Sequence, residues 1–189
     1  MQVIETELPG VLIIEPRVFG DDRGFFLETY SAGRYAECGI SGPFVQDNWS
    51  YSRRGILRGM HYQIQQPQGK LVQVMRGEIF DVAIDMRRDS PAFGKWTGVT
   101  LSAENKRQLW VPPGFAHGFV VLSEEADFTY KCTDYYAPQH ERCLKWDDPT
   151  VGIAWPYEGE PLLSDKDRAG LPFNEVECFE TTPPDSRSG

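Results

Sequence analysis

Hydrophobic and polar residues alternate along most of this chain in short runs that predict β-strands. The clearest run is residues 80–87, where Phe80, Val82, Ile84 and Met86 alternate with polar or small residues. A period of two is typical of a half-buried strand. Similar short runs, bounded by glycine, proline or acidic turns, predict about ten strands between residues 11 and 155.

Helical patterns are confined to two short stretches. One begins at Ser31 and ends before Gly39, and the other begins at Ser164 and ends at Gly170. Serine is a common helix N-cap, and glycine commonly ends a helix. The pattern therefore predicts a mainly β chain with a few short helices, arranged as a sandwich or a jelly-roll β-barrel. A barrel of this size can hold a small ligand in its mouth.

The organisation along the chain predicts one domain and a tail. No internal repeat or linker divides residues 1–175, so we expect a single domain there. Two of its short apolar runs, 144–146 and 153–155, are predicted as strands. Residues 176–189 become polar and are predicted to form a flexible C-terminal tail.

Charge and composition exclude several classes of function. The 189 residues carry a net charge of −9 and a pI of about 4.8, which opposes binding to nucleic acid or to an anionic membrane. No apolar run reaches the roughly 20 residues of a membrane span, and the first ten residues lack a signal-peptide pattern. The four scattered cysteines show no metal-type or redox-type spacing and are expected to be reduced, as in the cytoplasm.

Candidate chemistry is concentrated in residues 46–78. This segment combines His61 with a cluster of cations in a chain that is otherwise acidic, namely Arg53, Arg54, Arg58, Lys70 and Arg76. A histidine among cations suits removal of a proton where negative charge must then be held. The plain alternative is a structural histidine on a strand.

The other histidines leave the chemistry open. His117, in PPGFAHGF, is either a site residue or a turn residue whose ring packs on Phe115 or Phe119. His140 lies in a polar turn. The His-x-His pair of many metal-binding barrels is missing after His61, so zinc or iron is not expected. Dinucleotide, P-loop and GxSxG motifs are also missing.

Six segments of the chain, taken together, resemble one known family. They are DDRGFFLE, QDNWSYSRRGILRGMHYQ, KLVQVMRGEIFDVAIDMR, LSAENKRQLWVPPGFAHGF, YKCTDYY and LSDKD. In this order they are similar to the dTDP-4-dehydrorhamnose 3,5-epimerase family over residues 3–170. Met60 and Asp165 depart from its usual Leu and Glu, and neither has a proton-transfer role.

The resemblance implies a fold, a substrate and a reaction. It implies a cupin-type jelly roll without metal or other cofactor, usually a homodimer. It also implies epimerisation at C3 and C5 of dTDP-4-dehydro-6-deoxy-D-glucose to give dTDP-4-dehydro-L-rhamnose. A 3-only or 5-only epimerase of a related sugar nucleotide, a non-catalytic sugar-nucleotide-binding cupin and a metal-dependent cupin oxygenase remain as alternatives.

The same resemblance implies roles for four catalytic residues. His61 corresponds to the base that removes the protons next to the C4 ketone, and Asp167 to its carboxylate partner. Tyr130 corresponds to the proton donor on the opposite face of the sugar. Lys70 would stabilise the negative charge that develops on O4.

Ten further positions match the family's substrate-binding residues. By resemblance, Arg23 and Arg58 hold the diphosphate and Tyr136 stacks on thymine. We expect that Arg23 and Glu28 reach the site of a neighbouring chain, although Glu28 and Glu141 can also be read as plain surface carboxylates. The full set is Arg23, Glu28, Gln46, Asp47, Asn48, Arg58, His117, Tyr136, Glu141 and Lys166.

Residue spacing adds one structural prediction. Arg58 and His61 are three residues apart and would point to opposite faces of a regular strand. Both can reach one ligand only if the strand twists or bulges between them. We therefore predict an irregular position at Gly59.

Overall fold

The computed structural model describes residues 1–40 and 42–183 and is mainly β within them. Its helices are α1 (Ala32–Glu37), α2 (Asp165–Arg168) and a single 3₁₀ turn (Pro138–His140). The strands β1 to β13, in chain order, are Gln2–Glu5, Leu12–Glu15, Val18–Asp21, Gly24–Leu27, Gln46–Arg53, Leu57–Gln63, Lys70–Arg76, Glu78–Asp85, Trp96–Ser102, Gln108–Val111, Phe115–Val121, Glu125–Cys132 and Glu141–Cys143. The predicted mainly β fold with a few short helices is confirmed.

The strands form two antiparallel sheets and one separate hairpin. The six-stranded sheet has the order β1-β2-β10-β7-β12-β5, and the five-stranded sheet has the order β13-β6-β11-β8-β9. Strands β7 and β8 are consecutive in sequence but belong to different sheets. The chain crosses between them at Gly77, whose φ of +78° and 1.9 Å approach of a hypothetical Cβ to the Glu125 carbonyl oxygen both require glycine. Such crossings between two sheets are typical of a jelly roll.

The described residues form three hydrophobic core clusters, and two of them, an inner layer and an outer layer, pack on the five-stranded sheet. The inner layer fills the space between the sheets and includes Val72, Ile79, Ala83 and Phe128. The outer layer covers the far face of the five-stranded sheet with apolar residues from positions 144–179. Strand β8 is therefore buried on both faces and not on one as its alternation predicted, because the chain after β13 folds back over it.

Two predicted strands do not form. Strand β13 ends at Cys143, and the 144–146 run contributes one isolated bridge from Leu144 to Leu171. The 153–155 run has no strand pairing. Instead Trp155 donates a hydrogen bond from Nε1 to the Trp146 carbonyl oxygen at 3.0 Å. Apolar residues in this region cover the outer core layer, so their burial does not require a β-ladder.

The flexible tail predicted from residue 176 is wrong in its first part. Val176, Cys178 and Phe179 are buried against the outer core layer. Phe179 also donates its backbone N–H to Met86 and accepts from Arg88. The mostly polar composition of this segment did not indicate these contacts, because three apolar residues are enough to anchor it. Residues 184–189 of the predicted tail lie outside the described part of the chain.

Candidate active site

A cavity of about 440 Å³ lies between the two sheets. The five-stranded sheet contributes Arg58, His61 and His117 to its wall, and the six-stranded sheet contributes Lys70 and Tyr130. The cavity thus contains a histidine and a tyrosine that come from opposite walls. A molecule bound between them would present one face to an imidazole and the other face to a phenol.

Arg58 and His61 share the cavity because strand β6 is irregular between them. On β11, His117 pairs with His61 and Phe119 pairs with Arg58, so a two-residue step on β11 faces a three-residue step on β6. Gly59 lies in this bulge with a φ of +136°. The extra residue turns Arg58 to the same side as His61. The prediction of an irregular position at Gly59 is confirmed.

His61 and Asp167 form a close pair at one wall of the cavity. Nε2 of His61 lies 2.5 Å from Oδ1 of Asp167. The contact is off the direction of an aligned hydrogen bond, and Nε2 has no aligned partner among residues 1–40 and 42–183. Helix α2 presents Asp167, which also accepts hydrogen bonds from the Ser164 hydroxyl at 2.7 Å and the Gly59 N–H at 3.3 Å. Because Nε2 is in contact with Asp167, Nδ1 is the ring nitrogen left for a bound molecule.

The electrostatics of this pair favour a neutral imidazole beside an ionised carboxylate. Burial lowers the pKa of His61, and the contact with Asp167 only partly opposes this. Burial works to raise the pKa of Asp167, but the His61 and Ser164 contacts outweigh it and hold that pKa below its usual value. A neutral imidazole can accept a proton, and the carboxylate can stabilise the imidazolium that forms.

Tyr130 and Lys70 face this pair from the six-stranded sheet. Burial raises the pKa of the Tyr130 phenol to about 12, so the phenol keeps its proton at neutral pH and can donate it. Lys70 has no hydrogen bond or ion pair within the described residues. Burial lowers the pKa of its ammonium group, whereas Cys132 and Glu141 act to raise it. The cavity therefore offers an uncommitted cation to a bound molecule.

His117 belongs to strand β11 and not to a turn. Its Nε2 lies 2.8 Å from Oδ1 of the buried Asp81, and its ring stacks on Phe128 with a centroid distance of 6.2 Å. The alternative in which this ring packs from a turn on Phe115 or Phe119 is wrong. The His117 ring lines the cavity.

One rim of the cavity carries a connected polar group. Tyr136 donates its hydroxyl to Glu141 at 3.1 Å, and Lys166 pairs with the other oxygen of Glu141 at 2.9 Å. Gln46 accepts the backbone N–H of Tyr136 at 2.9 Å and donates to Asn48 at 3.0 Å. The structure therefore brings together all five of these predicted binding residues.

Three predicted binding residues lie outside the cavity. Arg23 lies on the β3–β4 hairpin with its side chain 90% exposed, where it pairs with Asp21. Glu28 pairs with Arg34 at 2.9 Å. Side chains alternate along β5, so Asp47 lies on the face opposite Gln46 and Asn48 and lines a second, smaller hollow. The contiguous motif concealed this difference because neighbouring residues on a strand face opposite ways.

Sequence reasoning missed Asp81. The alternation of residues 80–87 assigned it to the polar side of a half-buried strand, yet it is fully buried and contacts His117. An aspartate at an inward-facing position would have indicated a functional residue. That position could be recognised only if β8 were known to be buried on both faces.

His61, Cys143 and Asp167 bring possible metal-ligating atoms within 4.8 Å of one another. Nε2 of His61 is already in close contact with Asp167, at 2.5 Å from Oδ1. Burial also raises the pKa of the Cys143 thiol to about 12, which opposes formation of the thiolate that a metal would bind. This donor set favours the histidine–aspartate pair over a metal centre.

The two-sheet architecture with a polar interior site defines a cupin-type jelly-roll protein. A model of the dTDP-4-dehydrorhamnose 3,5-epimerase family matches residues 5–175. The chain belongs to this family.

Individual relatives agree with this assignment. A dTDP-4-dehydrorhamnose 3,5-epimerase from Pseudomonas aeruginosa is 59% identical over 95% of this chain and 99% of its own length. A crystal structure of dTDP-6-deoxy-D-glucose-3,5-epimerase from Legionella pneumophila, in complex with dTDP-4-keto-L-rhamnose, is 55% identical with a TM-score of 0.91, covering 93% of this chain and 94% of its own. A 3'-monoepimerase from Streptomyces bikiniensis in complex with dTDP-quinovose is 35% identical with a TM-score of 0.85, covering 89% and 86%.

No helix within residues 1–40 and 42–183 has both the length and the apolar character needed to cross a membrane.

Proposed function

We propose that the chain epimerises C3 and C5 of dTDP-4-dehydro-6-deoxy-D-glucose to give dTDP-4-dehydro-L-rhamnose. The observation that carries this proposal is the placement of His61 and Tyr130 on opposite walls of one cavity, with Lys70 in the same cavity. Inversion at a carbon requires a proton to leave from one face and to return on the other. Membership of the family supports the choice of substrate. The family model matches residues 5–175, which supports a single catalytic domain over residues 1–175.

The proposed step begins with a proton next to the C4 ketone. His61 takes that proton from carbon, the C–H electron pair forms an enolate, and the negative charge moves to O4. Lys70 stabilises the charge on O4, and Asp167 stabilises the imidazolium of His61. Tyr130 then returns a proton to the opposite face of the same carbon. The ring carbon inverts, and bulk solvent restores the protonation states of His61 and Tyr130.

The remaining cavity residues suit a sugar nucleotide. Among the described residues, the Arg58 side chain donates hydrogen bonds to Ser52 and to the Tyr51 carbonyl, and its planar guanidinium can bind a diphosphate. Tyr136 lies at the rim with 51% of its surface exposed and can stack on a base. We assign the other predicted binding residues of the cavity to contacts with the sugar and the nucleoside, namely Gln46, Asn48, His117, Glu141 and Lys166.

A homodimer would account for Arg23 and Glu28. The β3–β4 hairpin exposes Phe19, Phe25 and Phe26 by 50% to 69% and carries Arg23 at its turn. Clustered exposed aromatic residues mark interaction surfaces. We propose that the hairpin reaches the cavity of a second copy, where Arg23 would meet the diphosphate. Mixing inactive H61A with inactive R23A should then restore activity through mixed dimers, and no recovery would contradict the shared site.

We also propose a cytoplasmic location. The four cysteines, Cys38, Cys132, Cys143 and Cys178, are all free thiols. Free thiols persist in reducing compartments. Fractionation of the source cells, with a thiol-labelling reagent on intact cells as the control, would check this location.

Solvent exchange tests the catalytic proposal directly. In deuterated water with the 4-keto-6-deoxyglucose nucleotide, deuterium should enter at C3 and C5, as followed by NMR, and the L-configured product should form. Label at only one of these carbons would favour a monoepimerase, the alternative supported by the Streptomyces bikiniensis structure. Binding without any exchange would identify a non-catalytic sugar-nucleotide-binding protein and reject the proposal.

A further inference from the structure

The barrel interior contains a buried carboxylate that the proposed reaction does not use. Asp81 on β8 is 0% exposed, and its neighbours on the same face of the strand, Ile79 and Ala83, belong to the apolar inner core. A carboxylate in such surroundings costs free energy unless other groups compensate its charge. An apolar residue at this position would pack without that cost, so the carboxylate is a candidate for a functional role.

Asp81 has one hydrogen-bonded oxygen and one without a partner. Oδ1 lies 2.8 Å from Nε2 of His117, and Oδ2 is buried with no hydrogen-bond partner in the described parts of the chain. Burial raises the pKa of Asp81, while His117 and Lys70 act to lower it. Lys70 belongs to the facing sheet, so the interaction crosses the interior of the barrel.

Lys70 needs a counter-charge because it is an uncommitted ammonium in a partly closed cavity. The titratable groups that act on it come from several elements: Cys132 on β12, Glu141 on β13, Asp81 on β8, Lys166 on α2 and His61 on β6. His117 on β11 completes this set through its contact with Asp81.

Only two of these groups are carboxylates that act directly on Lys70. Glu141 is already paired with Lys166 at 2.9 Å and with the Tyr136 hydroxyl at 3.1 Å. The unpartnered oxygen of Asp81 is therefore the carboxylate oxygen left to balance the Lys70 charge.

We propose that Asp81 is a positioning residue whose buried carboxylate is the fixed counter-charge of the Lys70 ammonium and holds His117 with Nδ1 toward the bound sugar. Asp81 does not line the cavity, so it acts through these two residues and not on the substrate. The inference rests on the proposed function, because the charge of Lys70 matters to the rate only if an enolate oxygen forms beside it.

The variant D81N separates charge from shape. Asparagine keeps the size of the side chain and an oxygen that can accept from His117, but it removes the negative charge. Without that charge the Lys70 ammonium should lose its proton at lower pH. We expect the ratio of wild-type kcat to D81N kcat to rise about tenfold between about pH 6 and about pH 9, with a smaller change in KM.

Two further variants control for structural damage. Asp85 lies on the same strand, is also 0% exposed, and bonds to Arg87 and Ser90 away from the cavity. D85N should therefore lower the free energy of unfolding, and the ratio of wild-type kcat to D85N kcat should not depend on pH. D81E keeps the carboxylate. The alkaline limb of its kcat–pH profile should therefore match that of the wild type even if its kcat falls.

A pH-independent ratio for D81N, or an unchanged kcat, would overturn the inference. If D81N is not recovered in folded form, D81S also removes the charge and carries the same expectation. An NMR titration of the Lys70 side chain in folded D81N or D81S gives a readout without catalysis, and an unchanged Lys70 midpoint would also overturn it. Absence of exchange by the wild type would reject the proposed function alone.

Discussion

Two histidine–aspartate pairs each place their histidine on the cavity wall, and the pairs differ in burial and support. His61 and Asp167 meet at a short helix, and the His61 side chain keeps 21% of its surface exposed. His117 and Asp81 meet on two central strands and are almost fully buried, at 7% and 0%. The first pair can exchange a proton with a ligand and then with solvent. The second pair is better suited to hold a fixed arrangement of charge, so the same two residue types serve different purposes.

Among the variants that test this comparison, replacing His61 by alanine should cause the largest loss of activity. H61A removes the proposed base, and general-base catalysis is worth about 10²- to 10⁴-fold. We expect exchange at C3 and C5 to fall by about 10³-fold while dTDP still binds, as measured by NMR and calorimetry. H117A should retain more activity, with its main change in KM. Equal losses of exchange in H61A and H117A would show that the two pairs are not distinct in function.

Replacing Tyr130 by phenylalanine should separate proton removal from proton return. The pKa of Tyr130 is raised to about 12 by burial, so the wild-type phenol keeps at neutral pH the proton that we propose it donates. In Y130F, formation of the inverted product should fall by about 10²-fold. Exchange of deuterium with retention of configuration should continue, because His61 is intact.

Product stereochemistry and label content should be followed in the same Y130F sample. Parallel loss of exchange and inversion would assign Tyr130 to an earlier step than the return of the proton. His61 is the matched reference, since H61A should lose both signals together.

Part of the cavity could be predicted from sequence because some of its residues follow one strand register or one motif. The inward direction of Gln46 and Asn48 follows from alternation on β5, and the break at Gly59 follows from the spacing of Arg58 and His61. Alternation predicts which residues share a face but not whether that face meets solvent. For this reason Asp81 was assigned to a polar face that the structure buries.

The catalytic roles could not be predicted from local pattern. Asp167 lies more than a hundred residues after His61, and only the packing of α2 against β6 brings the two together. The position of Arg23 was unpredictable for another reason. In the described part of the chain its hairpin pairs only within itself, so the strand pattern does not indicate whether Arg23 reaches a cavity.

Replacing Asp167 by asparagine should give an intermediate effect. Outer-shell partners that orient metal-bound histidines are worth about 10- to 100-fold, and we expect a fall in kcat of the same order for D167N. The Asp167 contact acts to raise the pKa of His61. Its removal should therefore lower that pKa, and the acid limb of the kcat/KM profile should move to lower pH.

A pH–rate profile of D167N beside the wild type measures this shift of the acid limb. Movement of the acid limb to higher pH would contradict the assignment of His61 as the titrating base. The same substitution in the other pair, D81N, should leave the acid limb in place and move the alkaline limb.

Replacing Ser164 by alanine should cause the smallest loss of activity. It tests how far the Ser164 hydroxyl supports the His61–Asp167 pair. The Ser164 hydroxyl donates to Oδ2 of Asp167 at 2.7 Å and accepts the Asp167 N–H at 3.2 Å as the cap of α2. Loss of such a cap costs about 1 kcal/mol in the free energy of unfolding. We expect this loss in S164A, together with a decrease in kcat of about threefold, because Asp167 becomes less well oriented.

The chain offers a closely matched control for S164A. Ser90 donates to Oδ2 of the buried Asp85 at 2.6 Å and accepts the Ala92 N–H at 3.1 Å, away from the cavity. S90A should therefore lose similar stability in chemical denaturation and keep its kcat. If both serine variants lose kcat equally, Ser164 supports the fold but not the catalytic pair. If only S164A loses kcat, the cap of a four-residue helix is part of what aligns the carboxylate with its histidine.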